Sequence, residues 1–370
     1  MTQPDKLLFT PGPLTTSASV KAIMTRDLGS RDSEFIALVR EIRTILTQLA
    51  TQNQHDNTTT ILMQGSGTFG VESVISSCIT PDKKLLLVIN GAYGKRMAEM
   101  ARIHRIPTET LIYPENALPD LAHIDTLLAQ DSAIQMVAVV HCETTTGILN
   151  PIHEIGEIVH RHQRIYFVDA MSSFGAIPIN VTHSHIHYLV SSSNKCIEGV
   201  PGFSFCVAHV PTLLATKGYA RNLSLDLLAQ YHGLEKDGQF RFTPPIQTLL
   251  AFRQALHELI DEGGVNGRGE RYRDNHETIV NGMTAMGFVV YIAPEHQSNI
   301  ITTFLYPPHP AFHFETFYSL LSDKGFVIYP GKLTDADCFR IGNIGRLFPH
   351  DMQAILIAIQ ETIHVMGVTL

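Results

Sequence analysis

Two strand ends carry residue types suited to imine chemistry. Ile165-Tyr166-Phe167-Val168 runs into Asp169, and Tyr188-Leu189-Val190-Ser191-Ser192-Ser193-Asn194 runs into Lys195. An acid at the end of one apolar strand and a lysine at the end of the next can face one ligand. The acid can hold the proton of a ring nitrogen. A desolvated lysine is a nucleophile that forms a Schiff base with a carbonyl. Those two groups are the minimum that a pyridoxal phosphate cofactor asks of a protein. A strand-end salt bridge is the other reading of the pair.

An anion site for such a cofactor is available in Gln64-Gly65-Ser66-Gly67-Thr68-Phe69-Gly70, between an apolar strand and a helix. Glycines let the backbone approach a phosphate, the helix N-terminus offers free N–H groups, and Ser66 and Thr68 add hydroxyls. Read alone, the segment is first of all a tight strand–helix turn. It lacks the spacing of a dinucleotide loop, and no Gly-Lys-Ser/Thr follows as in a nucleotide P-loop. In Asn90-Gly91-Ala92-Tyr93-Gly94, Tyr93 can stack on a planar ring or serve as a packed loop aromatic. His141-Cys142-Glu143-Thr144-Thr145-Thr146-Gly147 places hydroxyls at a third strand end, for a ring oxygen or for ordinary turn capping. Arg340, in Cys338-Phe339-Arg340-Ile341-Gly342, is flanked by apolar residues and needs an anion. A substrate carboxylate or phosphonate can pair with it bidentately. An internal salt bridge to Asp335, Asp337 or another carboxylate is the alternative. His183-Ser184-His185-Ile186-His187 puts alternating histidines on an expected strand, but at the end away from these groups. They are read as solvated side chains and no metal is assigned.

The elements that must position these groups follow from periodicity. Leu85-Leu86-Leu87-Val88-Ile89, Met136-Val137-Ala138-Val139-Val140 and the run before Asp169 are continuous and apolar. Such runs suit strands buried on both faces of a parallel sheet. Amphipathic helices are expected between them, at 94–104 and 151–162. The alternation predicts an α/β fold with a large three-layer domain and a mostly parallel sheet. Ligands of such sheets sit at the carboxyl ends of the strands. After residue 245 the pattern changes to a helix over 245–261, capped at Gly263-Gly264, a helix over 271–286, and strands at 288–292, 299–304 and 326–329 with a helix at 314–324. This predicts a smaller α+β domain. The expected division is 15–255 and 256–370, joined by residues 1–14.

Composition excludes other classes. With 44% hydrophobic and 17% charged residues among 370, the chain has an ordinary large core. A net charge of -8 argues against nucleic acid. No eighteen-residue apolar run is present, and Met1-Thr2-Gln3-Pro4-Asp5-Lys6 has no signal pattern. Five cysteines without a C-x-x-C pair read as reduced thiols of a cytoplasmic protein.

Taken together, the segments resemble the fold type I pyridoxal phosphate aminotransferases of the alanine–glyoxylate branch, almost end to end. The resemblance rests on Leu8-Phe9-Thr10-Pro11-Gly12-Pro13-Leu14, the Gly65 loop, Asn90 to Gly94, Glu143 to Gly147, Val168-Asp169-Ala170-Met171-Ser172-Ser173-Phe174-Gly175, and Asn194 to Phe203. It extends to Phe326-Val327-Ile328-Tyr329-Pro330-Gly331-Lys332 and Phe339 to Gly345. The Asp169–Lys195 pair marks only the broad class. The N-terminal segment and residues 325–345 narrow it, implying a ping-pong transamination from 2-aminoethylphosphonate to pyruvate. Alanine–glyoxylate or serine–pyruvate transamination is the alternative.

The resemblance implies that Lys195 holds the cofactor and shuttles a proton, and that Asp169 keeps the ring nitrogen protonated. It implies that Ser66, Gly67 and Thr68 bind the phosphate, Tyr93 stacks on the ring, Thr144 meets the ring oxygen, and Asn194 lies beside the cofactor. Arg340 takes the anionic end of the substrate, and Thr243 reaches the phosphate of a neighbouring subunit, making a homodimer with shared sites. One departure stands out: the resemblance implies a tryptophan near Arg31, whereas this chain has none. Arg31 is read as a surface residue. A desulfurase needs a mobile cysteine, and Cys338 reads as strand. A ligand-binding regulator without activity is the remaining rival, and no added DNA-binding segment accompanies the Lys195 machinery.

Overall fold

A computed structural model describes residues 5–54, 57–331, 333 and 336–370. Met1 to Pro4, Lys332 and Asp335, which enter the readings above, lie outside the described residues. A seven-stranded sheet dominates. Its strands are β1 (Thr58–Gln64), β2 (Lys84–Ile89), β3 (Thr108–Ile112), β4 (Ile134–Val140), β5 (Ile165–Asp169), β6 (Tyr188–Ser192) and β7 (Phe203–His209). The order across the sheet is β1-β7-β6-β5-β4-β2-β3. Neighbours from β6 to β3 are parallel, and β7 is antiparallel to β6 and β1. Leu85 to Leu87, Met136 to Val139 and Tyr166 to Val168 have no exposed surface, as continuous apolar runs require when helices cover both faces.

Register sets the site. Val140 pairs with Asp169, and Asp169 with Val190, so three strands end level. The loops after β1, β2, β4, β5 and β6 therefore gather at one sheet edge. Helices α1 (Ser33–Thr51), α2 (Gly67–Ser77), α3 (Ala92–Ile103) and α4 (Ile152–Arg161) pack on the sheet, with α5 (Ile246–Asp261) beside them. Met97, Met100 and Ala101 form the buried stripe of α3, on the face that the spacing predicted.

A second core holds Phe304, Phe339 and Ile341 of a three-stranded sheet, β8 (Ile301–Leu305), β9 (Tyr329–Pro330) and β10 (Cys338–Gly342), with α6 (Gly264–Ala285) against it. The N-terminal segment is stitched into this unit. Leu7 and Leu8 pair with Phe326 and Val327, and the Gly342 N–H donates to the Phe9 carbonyl at 3.0 Å. A small third cluster, including Cys142, Cys196, Tyr272 and Ile344, fills the seam between the two cores.

Several elements differ from the sequence reading. Helix α6 begins at Gly264, not 271. Its first turns carry Gly264, Gly267 and Gly269, which lower helix propensity, but packing decides: a Cβ on Gly269 would lie 2.5 Å from the Ala176 carbonyl oxygen. Residues 288–292 alternate inward and outward as a strand does, yet only Val290 bridges to Phe304. The strand expected over 326–329 is split, because Phe326 and Val327 pair with the N-terminal segment and Tyr329 with Arg340. His183 and His185 lie in a turn, not a strand, and stack on His153 and His160 of α4 at 4.3 and 3.9 Å. Arg31 is exposed ahead of α1.

The approach of the N-terminal segment to β10 generates a prediction. A Cβ on Gly342 would sit 2.5 Å from the Thr10 carbonyl oxygen. Gly342→Ala should cost about 1–3 kcal/mol of stability through overpacking, read by denaturant unfolding. Unfolding at the wild-type midpoint would show that the segment is not held there.

Candidate active site

The loops at the sheet edge enclose a cavity of about 210 Å³. Ser66, Gly67, Thr68, Tyr93, Thr144, Asp169, Asn194 and Lys195 all line it. Eight of the residues singled out in the sequence thus meet in one space, brought together by five separate loops. Two do not line it. Arg340 sits behind Thr144, and Thr243 lies in another groove with Gln64, Phe69, Leu223 and Phe242.

Asp169 ends β5 and is 6% exposed. One carboxylate oxygen accepts the Met171 N–H at 2.9 Å. Burial pushes its pKa up from 3.8 to about 6, against the Met171 hydrogen bond and the nearby Lys195 and Arg96 charges. Lys195 follows β6 in a turn. Its amine donates to the Pro11 carbonyl at 2.5 Å, so the N-terminal segment closes the cavity beside it. Burial brings the amine down to about 8, with Cys196 and Asp169 opposing and Arg340 assisting. Both groups are thus displaced toward their neutral forms by the same cause. They are poised for a partner and not settled as a salt bridge.

Ser66 is the N-cap residue of α2 but makes no side-chain capping bond. Its hydroxyl and the first turn of α2 remain available to an anion at that end of the cavity. A Cβ on Gly67 would displace the end of the Met171 side chain, against which the turn now lies. Tyr93 opens α3, where the Thr144 hydroxyl donates to its phenol oxygen at 3.1 Å. The Arg96 guanidinium stands 5.1 Å from the centre of the Tyr93 ring. The buried Glu143 carboxylate accepts the Tyr93 and Gly94 N–H groups at 3.3 and 2.9 Å, capping α3 from another loop. Burial raises Glu143 to about 7.

Arg340 is 6% exposed on β10. Its guanidinium donates to the Thr144 carbonyl at 2.7 Å and to the Pro330 carbonyl at 3.0 and 2.9 Å, and stands over the Tyr329 ring. Among the described residues none of its hydrogen bonds goes to a carboxylate, and Asp337 does not take the partner's place. Burial lowers its pKa. A buried cation with carbonyl partners suits an anionic ligand.

Sequence reasoning missed Arg96 and Glu143. Arg96 was legible, since it lies one helical turn beyond Tyr93. Glu143 was masked by the run of threonines after it. Cys338, in β10, is buried.

These features fit pyridoxal phosphate. The hydroxyls and helix N-terminus of Ser66 to Thr68 suit a phosphate, and the Asp169 carboxylate suits a protonated ring nitrogen. The Lys195 amine suits the aldehyde, and the phenol of Tyr93 offers an aromatic wall. The comparisons agree with this geometry. The family model for class-V aminotransferases matches residues 15–335. The 2-aminoethylphosphonate–pyruvate transaminase of Salmonella heidelberg (strain SL476) is 49% identical over 366 residues, 98% of this chain and 99% of that protein. The fold is shared with alanine–glyoxylate aminotransferase from Nostoc sp. (TM-score 0.91, 24% identity, 98% and 96% of the two chains). It is shared equally with pyridoxamine–pyruvate aminotransferase from Mesorhizobium loti (TM-score 0.90, 24% identity, 99% and 94%). The chain belongs to the class-V aminotransferases and is a pyridoxal phosphate-dependent enzyme of fold type I.

Proposed function

We propose that this aminotransferase moves the amino group of 2-aminoethylphosphonate to pyruvate, leaving phosphonoacetaldehyde and L-alanine, as a step of phosphonate degradation. The observation that carries the reading is Arg340, a buried guanidinium with neutral partners one residue behind the cavity wall. It suits a substrate whose far end is an anion. The name of the Salmonella relative supports that anion being a phosphonate in the donor and a carboxylate in the acceptor.

Bound pyridoxal phosphate supplies an aldehyde that condenses with amines and a protonated ring that withdraws electrons. The chain's own residues do the rest. Asp169 holds the proton on the ring nitrogen, and its cost of burial is offset once that cation is beside it. Lys195, with its amine near 8, has a neutral fraction at neutral pH and can take a proton from the substrate carbon and return it. Ser66, Gly67 and Thr68 would hold the phosphate, and Tyr93, Thr144 and Asn194 would line the ring, as they line the cavity. Arg340 orients first the donor and then the acceptor, since both end in an anion.

Thr243 does not line the cavity itself but a groove beside it, with Gln64 and Gly65. It is exposed beside the half-exposed Phe69 and Phe242, which suits a second copy covering this face. The proposed assembly is a homodimer with Thr243 crossing to the partner's site. Residues 15–255 form the proposed cofactor-binding domain and 256–370 the smaller one, with the N-terminal segment bridging them. All five cysteines are buried, and Cys78, Cys142, Cys196 and Cys206 are free thiols, which suits a reducing compartment; the cytoplasm is the proposed location. Among the described residues no helix is long and apolar enough to cross a membrane.

Adding 2-aminoethylphosphonate without a keto acid should bleach the visible band of the cofactor-loaded protein, and pyruvate should restore it. A band that 2-aminoethylphosphonate leaves unchanged would sink the donor assignment, and alanine or serine would then be tried. Arg340→Lys keeps the charge but loses the two-pronged donor. It should raise KM for both substrates about ten- to a hundredfold, the equivalent of a charge-assisted hydrogen bond of about 1.5–3 kcal/mol. Unchanged KM values in steady-state assays would remove Arg340 from substrate binding.

The raised pKa of Asp169 predicts a stability inversion. Its folded value exceeds its ordinary one, so its favourable contribution is present below about 3.8 and lost as pH rises through about 6. At pH 8 the cofactor-free protein carries a strained carboxylate. Asp169→Asn should then melt higher than wild type, by about 1–3 kcal/mol, with the gap closing at pH 4. Cofactor should reverse the order at pH 8. A cofactor-free variant that melts at or below wild type at pH 8 would contradict this.

A further inference from the structure

Helix α6 buries a polar face where helices normally bury an apolar one. Arg268, Arg271, Tyr272 and Asn275 recur at helical spacing and are all buried, Arg268 completely. Glu262, just before the helix, and Glu198, three residues after Lys195, supply the matching carboxylates.

The stripe reads two loops at once. On one side, Arg268 Nη1 donates to the Cys196 carbonyl at 2.6 Å, directly after Lys195. Arg271 Nη2 and the Tyr272 hydroxyl donate to one Glu198 oxygen at 2.7 and 2.6 Å. Glu198 holds a left-handed backbone with φ 64, and its N–H donates to the Lys195 carbonyl at 2.7 Å. A non-glycine residue keeps that conformation only when its surroundings fix it. On the other side, Arg271 Nη1 donates to the Gly345 and Leu347 carbonyls at 2.6 and 2.9 Å. The Gly345 N–H donates to the Tyr272 oxygen at 3.1 Å, and Asn275 donates to the Asn343 and Leu347 carbonyls at 3.1 and 3.0 Å. Residues 343–347 are the exit of β10, the strand that carries Arg340. The Nε groups of Arg268 and Arg271 bind Glu262 at 2.7 and 2.6 Å.

We propose that Arg268, Arg271 and Tyr272, with Glu198, are positioning residues that fix the place of Lys195 relative to Arg340. The lysine loop belongs to the seven-stranded sheet and Arg340 to the C-terminal one. Arg271 and Tyr272 hydrogen-bond to the loops of both. An apolar stripe of equal volume would serve stability at least as well, because buried ion pairs repay little of their desolvation. Directional bonds to carbonyls add register, which apolar packing does not. The network is also unsaturated, since Arg268 Nη2 and Glu198 Oε2 have no hydrogen-bond partner among the described residues. The unit is built for geometry ahead of maximal stability.

The inference rests on Lys195 carrying the cofactor and Arg340 binding substrate. Its first half is read without any donor. Tyr272→Phe removes the bridging hydroxyl with little change in packing, and Arg271→Lys keeps the charge but cannot reach both loops. Both proteins are loaded with pyridoxal phosphate and checked for folding and cofactor content. The pH midpoint of the bound cofactor's visible band should move by about half a unit or more in each. With 2-aminoethylphosphonate and pyruvate, kcat per bound cofactor should fall about tenfold or more, as a small misplacement of reacting groups implies. Arg271→Ala should lose more, with Arg271→Lys restoring part of it. Wild-type midpoint and kcat in both variants, even with a lowered melting temperature, would make the stripe purely structural and overturn the proposal. A kcat loss that only tracks lost cofactor would do the same. A shifted midpoint in a preparation inactive toward 2-aminoethylphosphonate would uphold the lysine half while the donor assignment fell.

Discussion

The shared desolvation of Asp169 and Lys195 is the constraint on which the rest of the site depends. Each is driven toward neutrality by burial, to about 6 and about 8, and their mutual attraction recovers only part of the loss. A folded chain gains nothing from holding two groups this way. A ligand with a basic ring nitrogen and a carbonyl offers each of the two groups a partner in a largely buried setting. Level strand ends make the arrangement possible. Val140, Asp169 and Val190 stand in register, so a single sheet edge presents a rigid floor while five loops supply its chemistry.

That floor is only half of the site. The other half comes from segments far off in sequence. The Pro11 carbonyl receives the lysine amine, and Arg340 reaches the Thr144 carbonyl across 196 residues. Both depend on the C-terminal sheet, because the N-terminal segment is held by Phe326, Val327 and Gly342. A site that joins Lys195 to Arg340 therefore spans two cores. The polar face of α6 and the small cluster at the seam bridge the two cores.

How much of this was legible depended on locality. Asp169, Lys195 and the Ser66 to Thr68 turn were readable because each follows its own apolar strand, and a parallel sheet brings such ends together whatever the loops do. Tyr93 and Thr144 were legible as strand-end residues, though not the bond between them. Arg340 was marked by its apolar flanks as a cation in need of an anion, but its neutral carbonyl partners belong to the tertiary structure. The start of α6 was hidden because its glycines depress local propensity, while one of them, Gly269, is favoured by close packing on Ala176. The polar stripe at 268, 271, 272 and 275 had correct helical spacing, yet charged residues at that spacing look like a solvated face until burial is known. Residues 288–292 show the reverse: alternation without a partner strand gives one bridge only.

The central claim is that Lys195 is the residue to which the cofactor is joined. The direct test is to load the protein with pyridoxal phosphate, reduce it with borohydride, digest it and map the modified peptide by mass spectrometry. The account predicts the reduced cofactor on Lys195 alone, and none on this peptide when reduction is omitted. A stable modification on another lysine, with Lys195 unmodified, would contradict it.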